Sequence, residues 1–204
     1  MGMTIHYRGK LKSPDLIAVI TEELADICRS MGWEYTCLDE DFEKKHTARL
    51  VHNEKGAEIV GHLPLKGISI SPHPKSESLS FLFDRNGNLA EMVTMAIEGP
   101  IRDELPWVWI KTQSAPLEIH ITVVKLLKYL EKKYFKFFEV SDEGSYWETG
   151  DAALLKKKKD FLADKIDGFA RVLSEAEIER DPNDSPEQLA EKLEQLLKER
   201  WEDM

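Results

Sequence analysis

The segment from 142 to 151 holds the densest group of side chains that could do chemistry. Its candidate ligand-binding residues are Asp142, Glu143, Tyr146, Trp147 and Glu148. Neighbouring carboxylates can act as a general acid and base, or they can hold a hard cation through oxygen ligands. The aromatic rings could form a floor on which a sugar or an amine stacks. The acids do not follow the spacing of a calcium-binding EF-hand loop, so the segment suggests a ligand site without naming its ligand.

The same segment also has a structural interpretation, which we favour. Gly144 and Gly150 can form turns. The two aromatic side chains can pack in the core, as aromatic residues of strands often do. Asp151 can cap the helix predicted to follow it. On this interpretation the acids and aromatics stabilise the fold and do not bind a ligand.

Six histidines are scattered along the chain, and no two of them have a spacing typical of a zinc motif. They are His6, His46, His52, His62, His73 and His120. His73 lies between two prolines, which would hold its imidazole stiffly at the end of a strand. His120 lies among apolar residues, which is typical of a half-buried helix histidine. No metal site is predicted and no cofactor is identified, but His73 or His120 could join the acids of 142–151 in an enzyme site.

Motifs for nucleophilic catalysis and for nucleotide binding are missing from the sequence. There is no GxSxG, GxGxxG or GxxxxGK[ST] motif. Cys28 and Cys37 lie on a predicted helix and a predicted strand, and we expect buried free thiols rather than a disulfide. The lysine run 156–159 lies in a predicted helix, where it is expected to cover the solvent-facing side.

The formal net charge is −10, and most of it comes from the end of the sequence. Residues 175–204 contain eleven acids and four bases, so the rest of the chain is nearly neutral. Nucleic-acid binding needs a surplus of Lys and Arg on one face, so this composition argues against a nucleic-acid partner. No apolar run approaches the ~18 residues of a membrane span, and the first ten residues lack the apolar stretch of a signal peptide. We therefore expect a cytoplasmic protein with no membrane contact.

Hydrophobic periodicity predicts helices and strands in an order typical of an α+β fold. Ser13, Pro14 and Asp15 are a strong helix start, and Gly32 is a typical helix end. Alternating residues predict strands at 4–10, 33–38, 48–52, 57–63, 68–71, 79–83, 89–97 and 107–111. Asn86-Gly87 lies between two apolar runs and predicts a tight hairpin turn.

A second helix is predicted from Pro116, followed by an aromatic strand at 134–140. The β-branched run 119–124 would also suit a strand, but the later spacing of leucines and lysines favours a helix. In the strand, alternation places Phe135 and Phe137 on one side. Segments 13–40 and 114–143 share this helix-then-strand order, which indicates either a duplication or a chance recurrence.

These elements predict one α+β domain over residues 1–174. Its sheet is expected to be predominantly antiparallel, with about seven to nine strands and with two or three helices packed on one face. An acidic linker is expected at 175–184, and an amphipathic helix at 185–204. The residues of that helix predicted to bind a partner are Leu189, Leu193, Leu197 and Trp201.

Helices on one face leave the other sheet face available to a partner or ligand. The aromatic candidates for that face are Tyr35, Trp107, Trp109, Phe135 and Phe137. The first hypothesis is a non-enzymatic binding or adaptor module that uses this face or its terminal helix, with another protein or a second copy of the chain as partner. The alternative is a small-molecule or metal-dependent enzyme that uses 142–151 with a histidine. The first requires an exposed apolar patch of several hundred Å², and the second requires a concave pocket.

Overall fold

The computed structural model describes residues 3–54, 56–99, 104–175 and 185, which form an α+β fold with antiparallel sheets. The described strands are β1 (Thr4–Leu11), β2 (Glu34–Asp39), β3 (Arg49–Asn53), β4 (Gly56–Val60), β5 (Lys66–Ser71), β6 (Leu79–Phe83), β7 (Leu89–Ala90), β8 (Val108–Lys111) and β9 (Phe135–Asp142). The described helices are α1 (Leu16–Met31), α2 (Met92–Glu98), α3 (Leu117–Tyr134), α4 (Tyr146–Thr149) and α5 (Ala152–Glu175). The chain divides into two compact units, residues 1–156 and 157–204, and all of these strands belong to the first.

The described strands form three sheets with antiparallel pairing throughout. One has the order β8-β1-β9, the second has the order β2-β5-β6-β7, and the third is the β3-β4 hairpin. Because β8 and β9 are both antiparallel to β1, they run parallel to each other. Parallel strands need a long crossover connection, and α3 supplies it.

The predicted helices form because each has one broad apolar face. In α1 the residues buried on that face include Ile20, Leu24 and Cys28, and Gly32 ends the helix in the left-handed conformation with φ 66°. In α3, Val123, Leu127 and Leu130 are buried, at helical spacing. The helical prediction for 119–124 is therefore confirmed, because burial on one side outweighs the β-propensity of the local sequence.

The main core cluster joins α1 and α3 to the first two sheets. The phenol of Tyr7 on β1 is fully buried there. It donates a hydrogen bond to the carbonyl of Ser80 on β6 (2.7 Å) and accepts one from the Ser80 amide (3.0 Å). Burial raises the pKa of the Tyr7 phenol far above its ordinary value, so the group stays neutral and ties the two sheets together.

The strand predicted at 89–97 is wrong beyond its second residue. β7 ends at Ala90, and 92–98 form helix α2. The Glu91 carboxylate accepts hydrogen bonds from the amides of Val93 and Thr94, which caps the helix. Met95 and Ala96 then pack in a second core cluster with Leu82, so local capping and burial outweigh the strand-like composition.

The predicted common side for Phe135 and Phe137 is also wrong. The pairing of β1 with β9 shifts register between Lys10 and Leu11. Such an irregularity changes which face the next side chain occupies. As a result Phe135 is only 5% exposed, whereas Phe137 is 47% exposed.

The remaining predictions have different outcomes. Cys28 and Cys37 are free thiols as expected, but Cys37 is exposed because its strand β2 has a mostly exposed burial pattern.

The helix α5 extends to Glu175, the first residue of the predicted linker. The rest of that linker and the partner-binding residues Leu189, Leu193, Leu197 and Trp201 lie outside the described residues. No helix in the described ranges combines the length and apolar content needed to cross a membrane.

Candidate functional site

Asp142, the first acid of the predicted ligand segment, is buried at the end of β9 and binds backbone amides. Its Oδ1 accepts a hydrogen bond from the Gly144 amide (2.7 Å). Its Oδ2 accepts hydrogen bonds from the amides of Tyr146 (2.7 Å) and Trp147 (2.9 Å). One carboxylate therefore holds the turn after β9 and the first turn of α4 in place.

His120, on α3, is 2% exposed and lies against this carboxylate. Its Nε2 is 3.1 Å from Asp142 Oδ1, an ion-pair distance, but the geometry is not that of a hydrogen bond, so we regard the contact as electrostatic. Because a carboxylate can only accept, we assign the proton to Nε2. The Thr112 hydroxyl lies 2.8 Å from Nδ1 and 3.1 Å from the Met3 carbonyl, and it has one proton to donate to either. We call Asp142, His120, Thr112 and Gly144 the Asp142 junction.

Space at the Asp142 junction is tight. A Cβ atom on Gly144 would lie 2.6 Å from Leu155 Cδ1, 2.9 Å from His120 Nε2 and 3.0 Å from Asp142 Oδ1. Gly144 is therefore needed for close approach, since its φ is not in the left-handed region. The junction joins β9, α3 and the start of α5 around one buried charge.

The ionisation of Asp142 predicts a pH-dependent contribution to stability. Burial alone raises the pKa of this carboxyl, but the His120 imidazole and the amides of Trp147 and Gly144 outweigh burial and hold the pKa below its ordinary value. A lowered pKa in the folded state stabilises the fold above the unfolded value of about 3.9, and that stabilisation is lost as the pH falls through the folded value. We expect the free energy of unfolding, measured by urea denaturation, to fall more steeply below about pH 5 for the wild type than for Asp142→Asn. Parallel pH profiles would contradict this assignment.

The other residues of 142–151 also bind within the chain. Glu143 accepts a hydrogen bond from the Thr4 amide (2.9 Å), which joins the segment to β1. The Trp147 ring is half-buried, with the Lys128 ammonium 5.3 Å from its centre. Tyr146 packs on the main core, but from helix α4 and not from a strand as the structural interpretation had it. Glu148 is exposed. Asp151 caps α5 by accepting from the amides of Ala153 and Leu154, as the structural interpretation predicted. Ligand binding by these residues stays a prediction.

His73 has a local partner of its own. Its Nδ1 accepts a hydrogen bond from the Lys75 amide (3.0 Å), so the ring braces the turn that follows β5. His62 lies between Glu40 Oε2 (2.9 Å) and the Asp41 carbonyl (2.8 Å). Within residues 3–54, 56–99 and 104–175, no group of three or more His, Cys, Asp or Glu side chains is arranged to hold a metal ion.

The exposed side of the β8-β1-β9 sheet is the second candidate site. Strand alternation places one set of side chains on this side, which we call the outer face. Its members are Thr4, His6, Arg8 and Lys10 of β1, Trp109 and Lys111 of β8, and Phe137, Glu139 and Ser141 of β9. Trp109 is 41% exposed and Phe137 is 47% exposed, so part of each ring is open to solvent.

The register of the outer face places polar or cationic groups beside both exposed rings. His6 is paired with Trp109 on one side and with Ser141 on the other. Lys10 is paired with Phe137. By strand geometry, the Cα atoms of Trp109 and Phe137 are about 16 Å apart diagonally across the sheet. The face therefore presents two separate flat rings with polar neighbours, and it lacks the continuous apolar patch of several hundred Å² that the binding-module hypothesis predicted.

Trp107, which precedes β8, extends the aromatic content of this region. The Arg8 guanidinium lies 4.6 Å from the centre of the Trp107 ring. The His6 ring meets Trp107 edge-on, with 6.4 Å between the ring centres. Arg8 also forms an ion pair with Glu139 at 2.8 Å. The centre of the outer face is thus a cation held between an aromatic ring and a carboxylate.

The outer face carries both cationic and anionic side chains. Its strands carry the cations Arg8, Lys10 and Lys111 and the carboxylate Glu139. The carboxylates of Glu143 and Glu77 border it, because they accept hydrogen bonds from the amides of Thr4 and Lys111. Lys10 and Lys111 are exposed, and within the described part of the chain no carboxylate pairs with their ammonium groups. Sequence reasoning missed these cations as site residues. The sequence shows the alternation at positions 4, 6, 8 and 10, but it does not show which strands pair with β1 on either side.

Three cavities formed by described residues lie away from the Asp142 junction. One of about 170 Å³ is lined by Trp109, Glu77 and Glu91 among others. Both of these carboxylates already accept backbone hydrogen bonds, Glu77 from Lys111 and Glu91 from the start of α2. A groove of about 570 Å³ lies between α1 and β2, and another of about 520 Å³ lies beside the β3-β4 hairpin.

Comparison with known proteins does not supply a family or a function. No family model matches the chain. No curated protein and no solved structure matches it either. The residues and their geometry are therefore the basis for the function that we propose.

Proposed function

We propose that the protein is a non-enzymatic binding module whose ligand or partner lies across the outer face of the β8-β1-β9 sheet. The observation that carries this proposal is the exposure of Trp109 and Phe137 on the outer face of this sheet. Exposed large rings are unfavourable in water but gain free energy when a partner covers them. Aromatic side chains of this kind are also the residues that contribute most to binding in known interfaces.

The position of the rings also supports binding rather than packing. β1 is the central strand of its sheet, and β8 and β9 hold Trp109 and Phe137 on either side of it. Regular strands position side chains more rigidly than loops do, so a ligand would meet a preformed surface. Binding to a preformed surface costs less conformational entropy than binding that must order a flexible loop.

The enzyme hypothesis has less support from the geometry. Asp142 and His120 are adjacent, as that hypothesis requires, and Thr112 completes an acid–imidazole–hydroxyl series. All three side chains are buried, however, with exposures of 7%, 2% and 1%. A general base must be within hydrogen-bond reach of its substrate, and the three cavities described above are lined by other residues. Among the described residues, the Asp142 junction therefore has the chemistry of a catalytic group, but its side chains are buried and do not line these three cavities.

Photo-crosslinking in cells that express the protein tests the proposed function without assuming the kind of ligand. We would compare Phe137→benzoylphenylalanine with Val19→benzoylphenylalanine, since Val19 is 50% exposed on α1 and gives a control of similar exposure. We expect several-fold more crosslinked product from position 137, because a bound partner would hold that ring within reach. The measurement is the fraction of protein shifted to higher mass.

The mass of the product distinguishes the kinds of partner. A product of twice the chain mass would indicate a homodimer through the outer face, and other masses would indicate a different partner. Equal yields at positions 137 and 19 would show that the outer face is not a binding surface, and the proposed function would then be wrong.

A further inference from the structure

We propose that the partner of the outer face is a second copy of this chain, bound so that β1 of each copy lies over β9 of the other. This inference rests on the proposed function, because it names the partner of the same surface. It depends on three observations: the distribution of charge among the three strands, the ion pair between Arg8 and Glu139, and the small, mixed surface of the face.

The charges of the outer face are separated by strand, which is the first observation. The formally charged side chains that β1 places on this face are the cations Arg8 and Lys10. On β9 the corresponding side chain is the carboxylate Glu139, and Glu143 continues the same alternation just beyond the strand. The central strand is therefore cationic on this face, and its neighbour β9 is anionic.

The other charges that border the face do not change this pattern. Lys111 of β8 lies beside Glu77, whose carboxylate accepts a hydrogen bond from the Lys111 amide (3.0 Å). Lys136 lies at the register shift and has no partner residue in β1, so it does not belong to the aligned face. Among the described residues the face has three cations and three carboxylates. Its complement is thus a surface that places carboxylates over β1 and cations over β9.

A second copy supplies this complement when it is turned about a two-fold axis that runs parallel to the strands, between β1 and β9. Such an axis places β1 of each copy over β9 of the other and keeps the position along the strand. Each β1 residue then faces, in the other copy, the residue with which it is already paired in its own sheet. Arg8 faces Glu139 of the second copy, and Lys10 faces its Phe137. The chain is therefore complementary to itself, as a two-fold interface requires.

The ion pair of Arg8 with Glu139, 2.8 Å long within one chain, is the second observation. In the proposed dimer two such pairs meet at the axis and form a cluster of alternating guanidinium and carboxylate groups. A guanidinium has five N–H donors, so it can bind both carboxylates at once. Stacked sheets lie about 10 Å apart and their strands cross at about 30°, so alignment is best near the middle of the strands. Arg8 lies at the middle of β1.

The small, mixed surface of the face is the third observation, and it predicts a reversible dimer. Permanent dimers bury apolar interfaces of about 2,000 Å² or more in total. Three strands of at most eight residues cover only about 27 by 14 Å, and charged side chains lie at the centre of that area. We therefore expect a dissociation constant in the micromolar range, on the order of 1–100 μM.

Sedimentation equilibrium of the full-length chain, with charge-reversed variants, tests the inference. Arg8→Glu and Glu139→Arg each place like charges opposite one another in a homodimer, so we expect each to weaken dimerisation by about tenfold or more. An equimolar mixture of the two variants places opposite charges at every contact between copies. We expect that mixture to form a heterodimer at concentrations at which each variant alone is a monomer. Circular dichroism of each variant would establish that the fold is unchanged.

The matched controls are Arg85→Glu and Glu43→Arg. Arg85 and Glu43 form another exposed ion pair of 2.8 Å, and neither residue belongs to the outer face. Each control changes the net charge by the same amount as the corresponding test variant, so both should dimerise like the wild type. A double variant with both Arg8→Glu and Glu139→Arg restores the ion pair within the chain and the contacts between copies. It should also dimerise like the wild type.

The possible results separate this inference from the proposed function. If the wild type stays a monomer but position 137 crosslinks to a product of another mass, the second copy is the wrong partner and the binding module stands. A dimer that survives both single reversals uses another surface, and this result overturns the inference. A mixture of folded variants that stays monomeric shows no charge pairing between copies and overturns it as well. If neither crosslinking nor dimerisation occurs, both proposals fail.

Discussion

Replacing Asp142 with alanine is expected to lower the free energy of unfolding by about 3–5 kcal/mol. The substitution leaves the amides of Gly144, Tyr146 and Trp147 without their acceptor. It also removes the carboxylate from the buried His120 imidazole, which has no other acceptor for Nε2 among the described residues. Removing one partner of a buried polar group costs more than the hydrogen bond is worth, because the remaining groups stay desolvated. The measurement is urea or guanidinium denaturation at pH 7.

Asp151→Ala is the matched control for this loss. Asp151 caps α5 through the amides of Ala153 and Leu154, but it is exposed, so water can replace its hydrogen bonds. We expect a loss of only about 1 kcal/mol, which is typical of a helix cap. A loss at Asp142 no larger than the loss at Asp151 would show that burial and the His120 contact contribute nothing. The carboxylate would then be an ordinary cap.

Gly67→Ala is expected to have the second large effect, a loss of about 3–5 kcal/mol in the free energy of unfolding. Gly67 is buried in β5, between Leu38 of β2 and Leu82 of β6. Its φ is 143°, a region that essentially only glycine adopts, and a Cβ there would overlap the carbonyl oxygen of Phe81. Because the obstacle is the backbone of a neighbouring strand, it can move only if the sheet distorts.

Gly32→Ala separates the two causes of that loss. Gly32 also has a positive φ, 66°, but no atom lies within 4 Å of the position that its Cβ would take. Alanine there brings conformational strain without overlap, and we expect a loss of about 1–2 kcal/mol. Equal losses at the two positions in chemical denaturation would mean that overlap with Phe81 contributes little. A larger loss at Gly67 assigns the difference to the contact between β5 and β6.

Much of the secondary structure follows from local sequence because the local signals are strong. Gly32 ends α1, as expected for a residue that readily adopts a left-handed conformation. Gly87, which lies in the predicted Asn-Gly turn, has φ 75° between β6 and β7. In both cases a single residue type is required by the backbone, so the position of the turn can be predicted.

Two errors in the fold arise where a tertiary contact outweighs the local pattern. The sequence 89–97 suits a strand, but Glu91 caps a helix whose residues Met95 and Ala96 fill the second core cluster. The side of Phe137 depends on a register shift opposite Lys10 and Leu11, in a strand more than a hundred residues away. Neither the packing of the second core cluster nor the register between β1 and β9 can be predicted from the hydrophobic period of the local sequence.

The candidate sites also combine features that can be predicted from sequence with contacts that cannot. The concentration of acids and aromatics at 142–151 and the helix cap at Asp151 were predictable from sequence. The contact of Asp142 with His120 was not, because it joins β9 to α3 across the core. Their burial is visible only in the tertiary structure, and it is the observation from which we propose a role in the stability of the fold.

The sequence by itself determined the α+β class, most of the strands and the positions of the main helices, because these depend on hydrophobic period and on residues with special backbone preferences. It also determined the net charge of −10, but net charge is a sum that does not state where the charges lie. Only the tertiary structure decided which cations share a surface, because pairing β1 with β8 and β9 brings Lys10, Lys111 and Arg8 together with Trp109 and Phe137. Surface chemistry depends on neighbours across strands, and these neighbours are distant in sequence.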